Sequence, residues 1–553
     1  SLFLLLTLDY FIYFFIINKT IMKNLFLIFI LIFTFYAYHF SSANSRGLEF
    51  GDIIWQFQVP DNPGTSLQDK QVRSLKQIPD VTGDGVNDVI VATGNYWTLC
   101  INGATGVIVW QYSTHFGSIN TGSVEWEDAM DIADLDNNGV FDVVIGCGGG
   151  NEMVYALNGA TGTVMWSYGS PTTTSDGDIE AISIKRDFNN DGFKDVIVSA
   201  SGVTGGSGGR HAAICLNGLN GQQIFISTQP QPFTDDAITT DSGVAIGANN
   251  NGAPYVVNGL NNSGSIVWTF TAPGNVWSLK EIPDINGNGS KDILGLSGFN
   301  GSVYAINGTG GAIWSVTLGS SNNGKIQLLN DANANGSIDF SLSAPQVAYR
   351  IDSKTGGILW SNSLSSSYLR GIDNIGDITG DMIDDIVIAT QQPARLLVLN
   401  GATGGILFEH VFGLTITQRG DRAAVLKDID TNGVNEFLGG NREGKVILFY
   451  GGNGTVTNIT PVSEIPSEYK LNQNYPNPFN PTTNINFEIP VSSFVSLKVY
   501  DVRGREISTL VNSHLNAGSH TFMFDASGLT SGVYFYTLQT NNYSKTMKMM
   551  VTK

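Results

Sequence analysis

The sequence predicts an all-β fold: an eight-bladed β-propeller followed by a small C-terminal β-sandwich. The chain of 553 residues contains 65 glycines, and only 14% of its residues are charged, which suits many short strands joined by turns. A unit of about 50 residues repeats along the chain. The repeat is clearest where the segment Ser74–Asp80 recurs as Ser278–Asp284.

Each unit is predicted to contain four strands, and the fourth strand carries an aromatic residue. The first aromatic strand precedes the first complete unit, and the last unit lacks its own, so Gly51–Val59 should supply the missing strand of the final blade. That pairing would close the ring and remove an exposed sheet edge. A seven-bladed ring is the alternative, because the fourth unit is degenerate. The eight aromatic positions are Trp55, Trp110, Trp166, Phe225, Trp268, Trp314, Trp360 and Phe408.

The turn before each aromatic strand resembles the repeat of pyrroloquinoline-quinone-type propellers. It is best preserved in Ala156–Trp166 and recurs in Asn307–Trp314. The large rings are predicted to pack between blades. A quinone-dependent dehydrogenase is disfavoured, because the resemblance implies a vicinal cysteine pair and the three cysteines are separate. Cys100, Cys147 and Cys215 are instead predicted to be buried free thiols.

Seven units carry an acidic loop of the form Asp-x-[Asp/Asn/Thr]-x-[Asp/Asn]-Gly-x-x-[Asp/Glu]. Alternate oxygen-bearing side chains followed by a glycine bend are the ligands that Ca²⁺ prefers, so we expect several structural calcium sites. The loops resemble those of FG-GAP or integrin-α-type propellers, and Asx-turns without metal are the alternative. The predicted ligands are Asp80, Thr82, Asp84, Asp88; Asp134, Asp136, Asn138, Asp142; Asp187, Asn189, Asp191, Asp195; Asp284, Asn286, Asn288, Asp292; Asp331, Asn333, Asn335, Asp339; Asp377, Thr379, Asp381, Asp385; and Asp428, Asp430, Asn432, Glu436.

The number of carboxylates ranks these loops. The loops of units one, two, three and eight carry three each, whereas those of units five and six carry two and should bind a metal weakly or hold water. The loop at Asp377 has three, but Met382 stands where glycine is expected. Unit four has lost the pattern near Thr234–Gly243 and is predicted to be metal-free.

The two ends of the chain are predicted to direct export. Met22 begins a signal peptide at 22–43, with an apolar run from Leu25 to Phe40 and a small-residue cleavage site ending at Ala43. Residues 1–21 are then upstream translated sequence, and a two-helix membrane hairpin is the alternative. The propeller should span 48–453, and residues 454–471 should form a linker.

Residues 472–553 are predicted to form the sandwich from strands at 484–489, 495–500, 520–525 and 532–539. This segment resembles the type A C-terminal sorting domain of type IX secretion. The resemblance rests on Tyr475–Pro481, Val499–Asp501, Phe524–Ser527 and Gly532–Tyr536. It implies that the type IX secretion machinery is a partner, and that the protein passes through the periplasm and is then secreted or attached to the outer surface.

The net charge of −19 makes nucleic acid an unfavourable partner. The acidic loops and Asn-Gly turns should share one face of the propeller, so function is expected in the irregular links on the other face. Aromatic residues beside arginines and acids in these links would suit an extracellular glycan, and a protein partner stays open. No nucleophile or metalloprotease motif appears. The sequence therefore predicts a secreted or cell-surface, calcium-stabilised binding or adhesion module. An extracellular polysaccharide-degrading enzyme, such as a calcium-dependent lyase, is the alternative. The candidate residues in these links are Tyr96, Trp97, His115, Trp126, Glu127, Asp128, the insertion 202–210, His211, Trp277, Tyr368, Arg370, Arg395, Arg419 and Arg422.

Overall fold

A computed structural model describes most of the chain from residue 48 to residue 552. The predicted upstream segment 1–21, the signal peptide 22–43 and residues 454–468 of the predicted linker lie outside the described residues. The internal segments left out are 66–68, 116–121, 150–151, 170–176, 203–208, 250–253, 299–300, 320–323, 344–345, 365, 367–368, 414–419, 453–468, 490–492, 516–517 and 541–542.

The fold is all-β, and among the described residues eight four-stranded antiparallel sheets lie between residues 53 and 449. In sheets 1 to 7, four consecutive strands pair in order. Sheet 1 contains β2 (Val72–Ile78), β3 (Asp88–Thr93), β4 (Trp97–Ile101) and β5 (Ile108–Ser113); sheet 2 contains β6 (Met130–Ala133), β7 (Asp142–Gly146), β8 (Val154–Leu157) and β9 (Val164–Tyr168); sheet 3 contains β10 (Ile179–Ser183), β11 (Val196–Gly202), β12 (Gly209–Leu216) and β13 (Gln223–Thr228); sheet 4 contains β14 (Phe233–Thr240), β15 (Gly243–Asn249), β16 (Tyr255–Leu260) and β17 (Ile266–Ala272).

Sheets 5 to 7 continue the same pattern. Sheet 5 contains β18 (Val276–Ile282), β19 (Asp292–Ser297), β20 (Ser302–Ile306) and β21 (Ala312–Thr317); sheet 6 contains β22 (Ile326–Leu329), β23 (Asp339–Ser343), β24 (Val347–Asp352) and β25 (Ile358–Ser363); sheet 7 contains β26 (Leu369–Gly376), β27 (Asp385–Gln391), β28 (Ala394–Leu399) and β29 (Ile406–Gly413).

Sheet 8 is built from both ends of the repeat region. Its order is β30 (Gly420–Leu426), β31 (Glu436–Asn441), β32 (Lys445–Phe449) and β1 (Ile53–Gln58). Strand β1 pairs antiparallel with β32, from Ile53 opposite Phe449 to Gln58 opposite Lys445. The prediction that residues 51–59 complete the last sheet is therefore confirmed.

The first strands of neighbouring sheets contact one another in order and return to the start. Strand β2 contacts the 3-10 helix Glu127–Ala129 that leads into β6, β6 contacts β10, and the contacts continue through β14, β18, β22 and β26 to β30. Strand β30 then contacts β2 again. The sheets therefore form a ring, as in a β-propeller.

The aromatic residues of the fourth strands lie between sheets, as predicted. The indole Nε1 of Trp110 donates a hydrogen bond of 2.6 Å to the carbonyl of Gly159 in the next sheet, and Trp166 does the same to Gly218. Trp314 and Trp360 repeat this contact with Ser353 and Gly401. The ring-closing strand repeats it as well, because Trp55 Nε1 donates to the Gly103 carbonyl at 2.7 Å.

A glycine with positive φ accompanies each of these aromatic rings. At Gly162 (φ +69°) an added Cβ would lie 2.5 Å from the Trp110 ring, so the turn requires a residue without a side chain. The eight glycine–aromatic pairs are Gly106 with Trp55, Gly162 with Trp110, Gly221 with Trp166, Gly264 with Phe225, Gly310 with Trp268, Gly356 with Trp314, Gly404 with Trp360 and Gly51 with Phe408.

The C-terminal residues form two further sheets around one apolar core. A three-stranded sheet contains β33 (Lys470–Leu471), β34 (Thr482–Ile489) and β37 (Gly518–Asp525), and a four-stranded sheet contains β35 (Ser493–Tyr500), β36 (Glu506–Leu515), β38 (Gly532–Gln539) and β39 (Ser544–Val551). Both sheets contribute to the buried cluster that includes Phe487, Leu497 and Tyr536. The predicted sandwich is observed, although β33 begins two residues before the predicted boundary at 472 because it pairs with β34.

Two further observations concern burial. Cys100, Cys147 and Cys215 are free and buried, as the sequence predicts. In the part of the chain that the structure describes, no helix is long and apolar enough to cross a membrane.

Candidate functional site

The seven acidic loops share one backbone conformation. The first aspartate of each loop accepts the amide of the sixth residue; in sheet 1, for example, Asp80 Oδ2 accepts the Gly85 amide at 2.7 Å. In sheet 5, Asp284 Oδ2 accepts the Gly289 amide, and this hydrogen bond lowers the pKa of Asp284. The equivalent acceptors elsewhere are Asp134, Asp187, Asp331, Asp377 and Asp428.

The sixth residue of each loop has a positive φ, which explains the preference for glycine. Gly85 has φ +90° and Gly139 has φ +88°. Met382 adopts φ +67° at the same place and is 83% exposed. The loop at Asp377 thus keeps the shared conformation although methionine replaces the expected glycine. The cost is a residue with a side chain in the left-handed backbone region.

In the loops of sheets 1, 2, 3 and 7, the closing acid joins the loop to the neighbouring Asn-Gly turn. Asp88 is fully buried (0% exposed); its Oδ2 accepts the Val81 amide at 2.9 Å, and its Oδ1 accepts the Gly103 amide at 3.0 Å. The loops and turns therefore share a face of the ring, as predicted. The turn glycines bound in the same way are Gly159 to Asp142, Gly218 to Asp195 and Gly401 to Asp385.

Burial strongly affects the acidity of these closing carboxyls. Because burial disfavours the ionised form, it raises the pKa of Asp88, Asp142 and Asp195 to about 6, against hydrogen bonds that lower it. Burial likewise raises the pKa of Glu436 to about 8. A divalent cation beside these groups would favour their ionised form.

The loop of sheet 2 has the donor set that best fits a metal. Carboxylate oxygens of Asp134, Asp136 and Asp142 all lie within 4.8 Å of one another, and they are the one such group of three among the described residues. Three hard oxygen donors converging on one point suit Ca²⁺. In sheet 1, by contrast, Asp84 Oδ2 accepts the Asn102 amide at 2.6 Å, which ties that carboxylate to the turn.

Sheets 4 and 6 depart from the pattern. In sheet 4, β14 and β15 are joined directly by the turn at Asp241–Ser242, so there is no loop to hold an ion. In sheet 6, the buried Arg350 guanidinium donates from Nε to Asp339 Oδ2 at 3.0 Å, and both side chains are 0% exposed. A side-chain cation thus already neutralises the closing acid of this loop.

A pocket lies at the opposite ends of the first strands from these loops. Its cavity volume is about 80 Å³. Successive sheets contribute its walls, so the pocket lies at the centre of the ring. The lining residues are Trp126, Glu127, Asp128, Glu180, Asp235, Trp277, Lys325, Arg370 and Arg422.

Irregularities in the first strands place several of these side chains. The pairing register shifts around Glu180 in β10, Asp235 in β14, Trp277 in β18 and Arg370 in β26. A β-bulge redirects a side chain and is common beside functional sites. The same local distortion in successive sheets therefore turns a set of unlike side chains into one pocket.

Ion pairs cross the pocket between distant sheets. Lys325 Nζ contacts Asp128 Oδ2, and Arg422 Nε lies 3.8 Å from Glu127 Oε2. Burial raises the pKa of Asp128, but Lys325 and Lys280 outweigh it and hold the pKa below its ordinary value. Both members of this pair are therefore charged at neutral pH.

Glu180 in sheet 3 and Asp235 in sheet 4 have raised pKa values, unlike Asp128. Burial, and then the neighbouring Asp236, raise the pKa of Asp235 to about 7. Burial and then Asp235 raise the pKa of Glu180 well above its usual range. Trp126 and Trp277 pack edge to face at 6.3 Å in the same pocket.

The structure gathers six of the predicted link residues into this pocket: Trp126, Glu127, Asp128, Trp277, Arg370 and Arg422. The prediction that Tyr96 and Trp97 form part of an exposed aromatic surface is wrong, because each is only 9% exposed and the Tyr96 ring packs against His115, with ring centroids 5.4 Å apart. His211 contacts Gln229, and Arg395 contacts Glu409. Tyr368, Arg419 and residues 203–208 of the insertion lie outside the described residues.

Three lining residues were not predicted from the sequence: Glu180, Asp235 and Lys325. A signal existed for Glu180, which stands seven residues before the loop aspartate Asp187, as Trp277 stands seven before Asp284. Lys325 stands six residues before Asp331, and unit four has no acidic loop from which to count to Asp235.

Comparison with known proteins agrees with this architecture. The family described as secretion system C-terminal sorting domain matches residues 473–552, and the one described as outer membrane protein assembly factor BamB matches residues 253–464. No curated protein gave a significant match.

Several solved structures are similar in fold. The V. cholerae biofilm matrix protein Bap1 is 12% identical, with 74% of this chain and 92% of that chain covered and a TM-score of 0.50. Saccharomyces cerevisiae Sqt1 is 12% identical, with coverages of 73% and 99% and a TM-score of 0.51. BamB from Moraxella catarrhalis is 16% identical, with coverages of 71% and 97% and a TM-score of 0.42. At these identities the likeness concerns the fold alone.

The sorting domain indicates export to the cell surface or secretion and implies interaction with the type IX secretion machinery. The chain is therefore an exported protein that carries a type IX secretion C-terminal sorting domain behind a BamB-like, propeller-like repeat domain.

Proposed function

We propose that this exported protein is a calcium-stabilised, eight-bladed β-propeller that binds an extracellular glycan in the pocket at the centre of its ring. The pocket carries the proposal. It brings the paired indoles of Trp126 and Trp277 together with carboxyl, ammonium and guanidinium groups from several sheets. Aromatic faces beside hydrogen-bonding groups suit a ring that is apolar on its faces and polar at its edge.

Two repeated features support the blade count. Eight four-stranded sheets occur among the described residues, and each has one glycine that packs on the aromatic ring of its predecessor. The contact of Gly51 with Phe408 has the same form as the contacts inside the ring. An eight-bladed ring accounts for every one of these contacts.

Calcium is proposed for the acidic loops, with the loop of sheet 2 as the strongest site. Asp134, Asp136 and Asp142 supply the converging oxygens there. The metal would neutralise a closing carboxyl that burial otherwise disfavours in its charged form. The loop of sheet 6 is the weakest site, because Arg350 neutralises Asp339.

A polysaccharide-degrading enzyme is the second candidate. The observation in its favour is the pKa of Asp235, which burial raises to about 7, since a carboxyl of that kind can exchange a proton near neutral pH. The binding proposal predicts that ligand is held and released unchanged.

A glycan array followed by a degradation assay tests both candidates. The purified protein is applied to the array in calcium buffer, and each bound glycan is then incubated with it and examined for shortened or unsaturated products. We expect binding without turnover, and loss of binding in Trp277→Ala. Degradation would make the protein an enzyme, and binding to no glycan would contradict the proposal.

A further inference from the structure

Glu180 and Asp235 occupy neighbouring positions in the ring, at the register shifts of β10 and β14. Within the described part of the chain, neither carboxyl forms an ion pair with a lysine or arginine. Lys325 lowers the pKa of both carboxyls, but it is already paired with Asp128. Asp235 Oδ2 accepts the Asn249 amide at 2.5 Å, which is a neutral donor. This side of the pocket therefore holds two carboxyls without a counter-ion, and a bound cation would favour their ionised form.

We expect the counter-ion of these carboxyls to be an organic cation and not a metal ion. Among the described residues, the one group of three His, Cys, Asp or Glu ligand atoms close enough to share a metal is in the loop of sheet 2, and it includes neither Glu180 nor Asp235. The carboxyls instead line a cavity that also holds two indoles. Indole faces attract organic cations, which are larger and more weakly hydrated than metal ions.

A second group in the pocket also lacks a partner. The Trp126 Nε1 atom is buried and has no hydrogen-bond acceptor in the part of the chain that the structure describes. Its ring packs against Trp277 at 6.3 Å. An unpaired buried donor costs free energy, so a ligand that offers an oxygen acceptor beside its cationic group would satisfy both needs.

We propose that the central pocket recognises a protonated primary amine on a glycan, so that the ligand is a polysaccharide containing amino sugars that are not acetylated. The ammonium group binds Glu180 and Asp235, the sugar ring contacts Trp126 and Trp277, and a ring oxygen or hydroxyl accepts from Trp126 Nε1. This inference rests on the proposed glycan-binding function and adds the chemical group that is recognised. A free amine next to hydroxyls on a flat ring presents all three features within one residue.

The test compares two oligosaccharides that differ in one group. Glucosamine oligomers and N-acetylglucosamine oligomers of equal length are titrated into the purified full-length protein by calorimetry. Acetylation removes the charge and keeps the ring. We expect the amine form to bind at least tenfold more tightly. Equal binding of the two forms would overturn the amine inference and leave glycan binding in place, whereas binding to no glycan would overturn the proposed function itself.

A matched pair of variants separates the pocket from general charge attraction, since the protein has a net charge of −19. Glu180→Gln and Asp241→Asn each remove one carboxylate. Asp241 lies at the turn after β14, at the far end of that strand from Asp235, and is 67% exposed. We expect only Glu180→Gln to weaken amine binding, by tenfold or more. An equal loss in both variants would overturn the proposal.

Two further measurements keep the test decisive. Thermal melting checks that Glu180→Gln is folded, and Asp235→Asn replaces it if it is not. Lysine-containing peptides are titrated as a second amine source. Tighter binding of these peptides than of glucosamine oligomers would refute the assignment to a glycan.

Discussion

Arg350→Met tests whether a buried guanidinium does in sheet 6 what a metal ion is proposed to do in other loops. The Arg350 side chain is 0% exposed and donates from Nε to Asp339 Oδ2 at 3.0 Å. Its remaining nitrogens donate to the backbone carbonyls of Asn330, Asp384 and Gly401. Methionine keeps an unbranched apolar side chain but leaves the buried Asp339 carboxyl without a cation.

The expected loss follows from the burial of both partners. Removing one partner of a buried ion pair costs about 3–5 kcal/mol, because the other charge stays uncompensated. For a propeller of roughly 400 residues, an unfolding entropy of about 2.1 cal/mol/K per residue gives about 0.8 kcal/mol/K. The melting temperature of Arg350→Met should therefore fall by about 4–6 °C.

Urea unfolding followed by tryptophan fluorescence measures the change in the free energy of unfolding. The double variant Arg350→Met/Asp339→Asn removes the orphaned charge, so we expect it to recover about 1–3 kcal/mol of the loss. Lys70→Met is the control, since its partner Asp61 is 71% exposed, and such a pair contributes about 0–1 kcal/mol. A loss below about 1 kcal/mol in Arg350→Met, or a double variant no more stable than the single one, would refute the reasoning.

Three other predictions concern the loops and turns. Asp136→Asn should reduce the rise in melting temperature that calcium produces over chelator (a site at one hundred times its Kd stabilises by about 2.7 kcal/mol), whereas Asp331→Asn should leave most of that rise; equal effects would contradict the ranking of the two loops. Gly162→Ala should cost at least about 1–3 kcal/mol in urea unfolding, because its Cβ would lie 2.5 Å from an indole, and Gly504→Ala should cost less, because nothing lies within 4 Å of its Cβ. In chelator, the melting temperature should fall from pH 5 to pH 7. An acid with a raised folded pKa stabilises the fold below its unfolded pKa and loses that contribution as the pH rises through its folded pKa. A rise in melting temperature over this range would contradict the burial argument. The carboxyls responsible, with folded pKa values of about 6, are Asp88, Asp142 and Asp195.

The ring was predictable from the sequence because its determinants are local and periodic. The position of Trp166 in its strand fixes which face it occupies, and the preceding glycine turn fixes where the next strand begins. The eighth sheet followed from counting the aromatic strands, because the strand that carries Trp55 precedes the first complete unit and belongs to none of the other sheets. Residues that repeat in register must occupy equivalent places once the sheets stack.

The pocket was only partly predictable, because register shifts decide which side chains enter it. Strict alternation along β10 gives no warning that the strand is irregular at Glu180, and the shift appears only in its pairing with β11. Lys325 directly precedes β22, and its side chain contacts Asp128 across the ring. Contacts between residues so far apart in the chain are set by the ring, which spacing in the sequence does not reveal.

The buried Tyr96 and Trp97 show the opposite error. Loop position suggested exposure, but Tyr96 adopts φ +70° and its ring packs against His115. A link residue is exposed only if no neighbouring link covers it, and that depends on tertiary packing. Burial in links is therefore the property that a single sequence constrains least.

The interface that closes the ring has consequences for export. Trp55 donates to Gly103 at 2.7 Å, much as Trp110 donates to Gly159 at 2.6 Å, so the closing interface is built like those inside the ring. Sheet 8 needs β1 as well as β30 to β32, and without β1 the edge of β32 would be open to pairing with other chains. The sorting domain follows all of these strands in the chain. A product that ends before β32 therefore lacks both a closed ring and the signal for export, so chain order alone favours the export of complete rings.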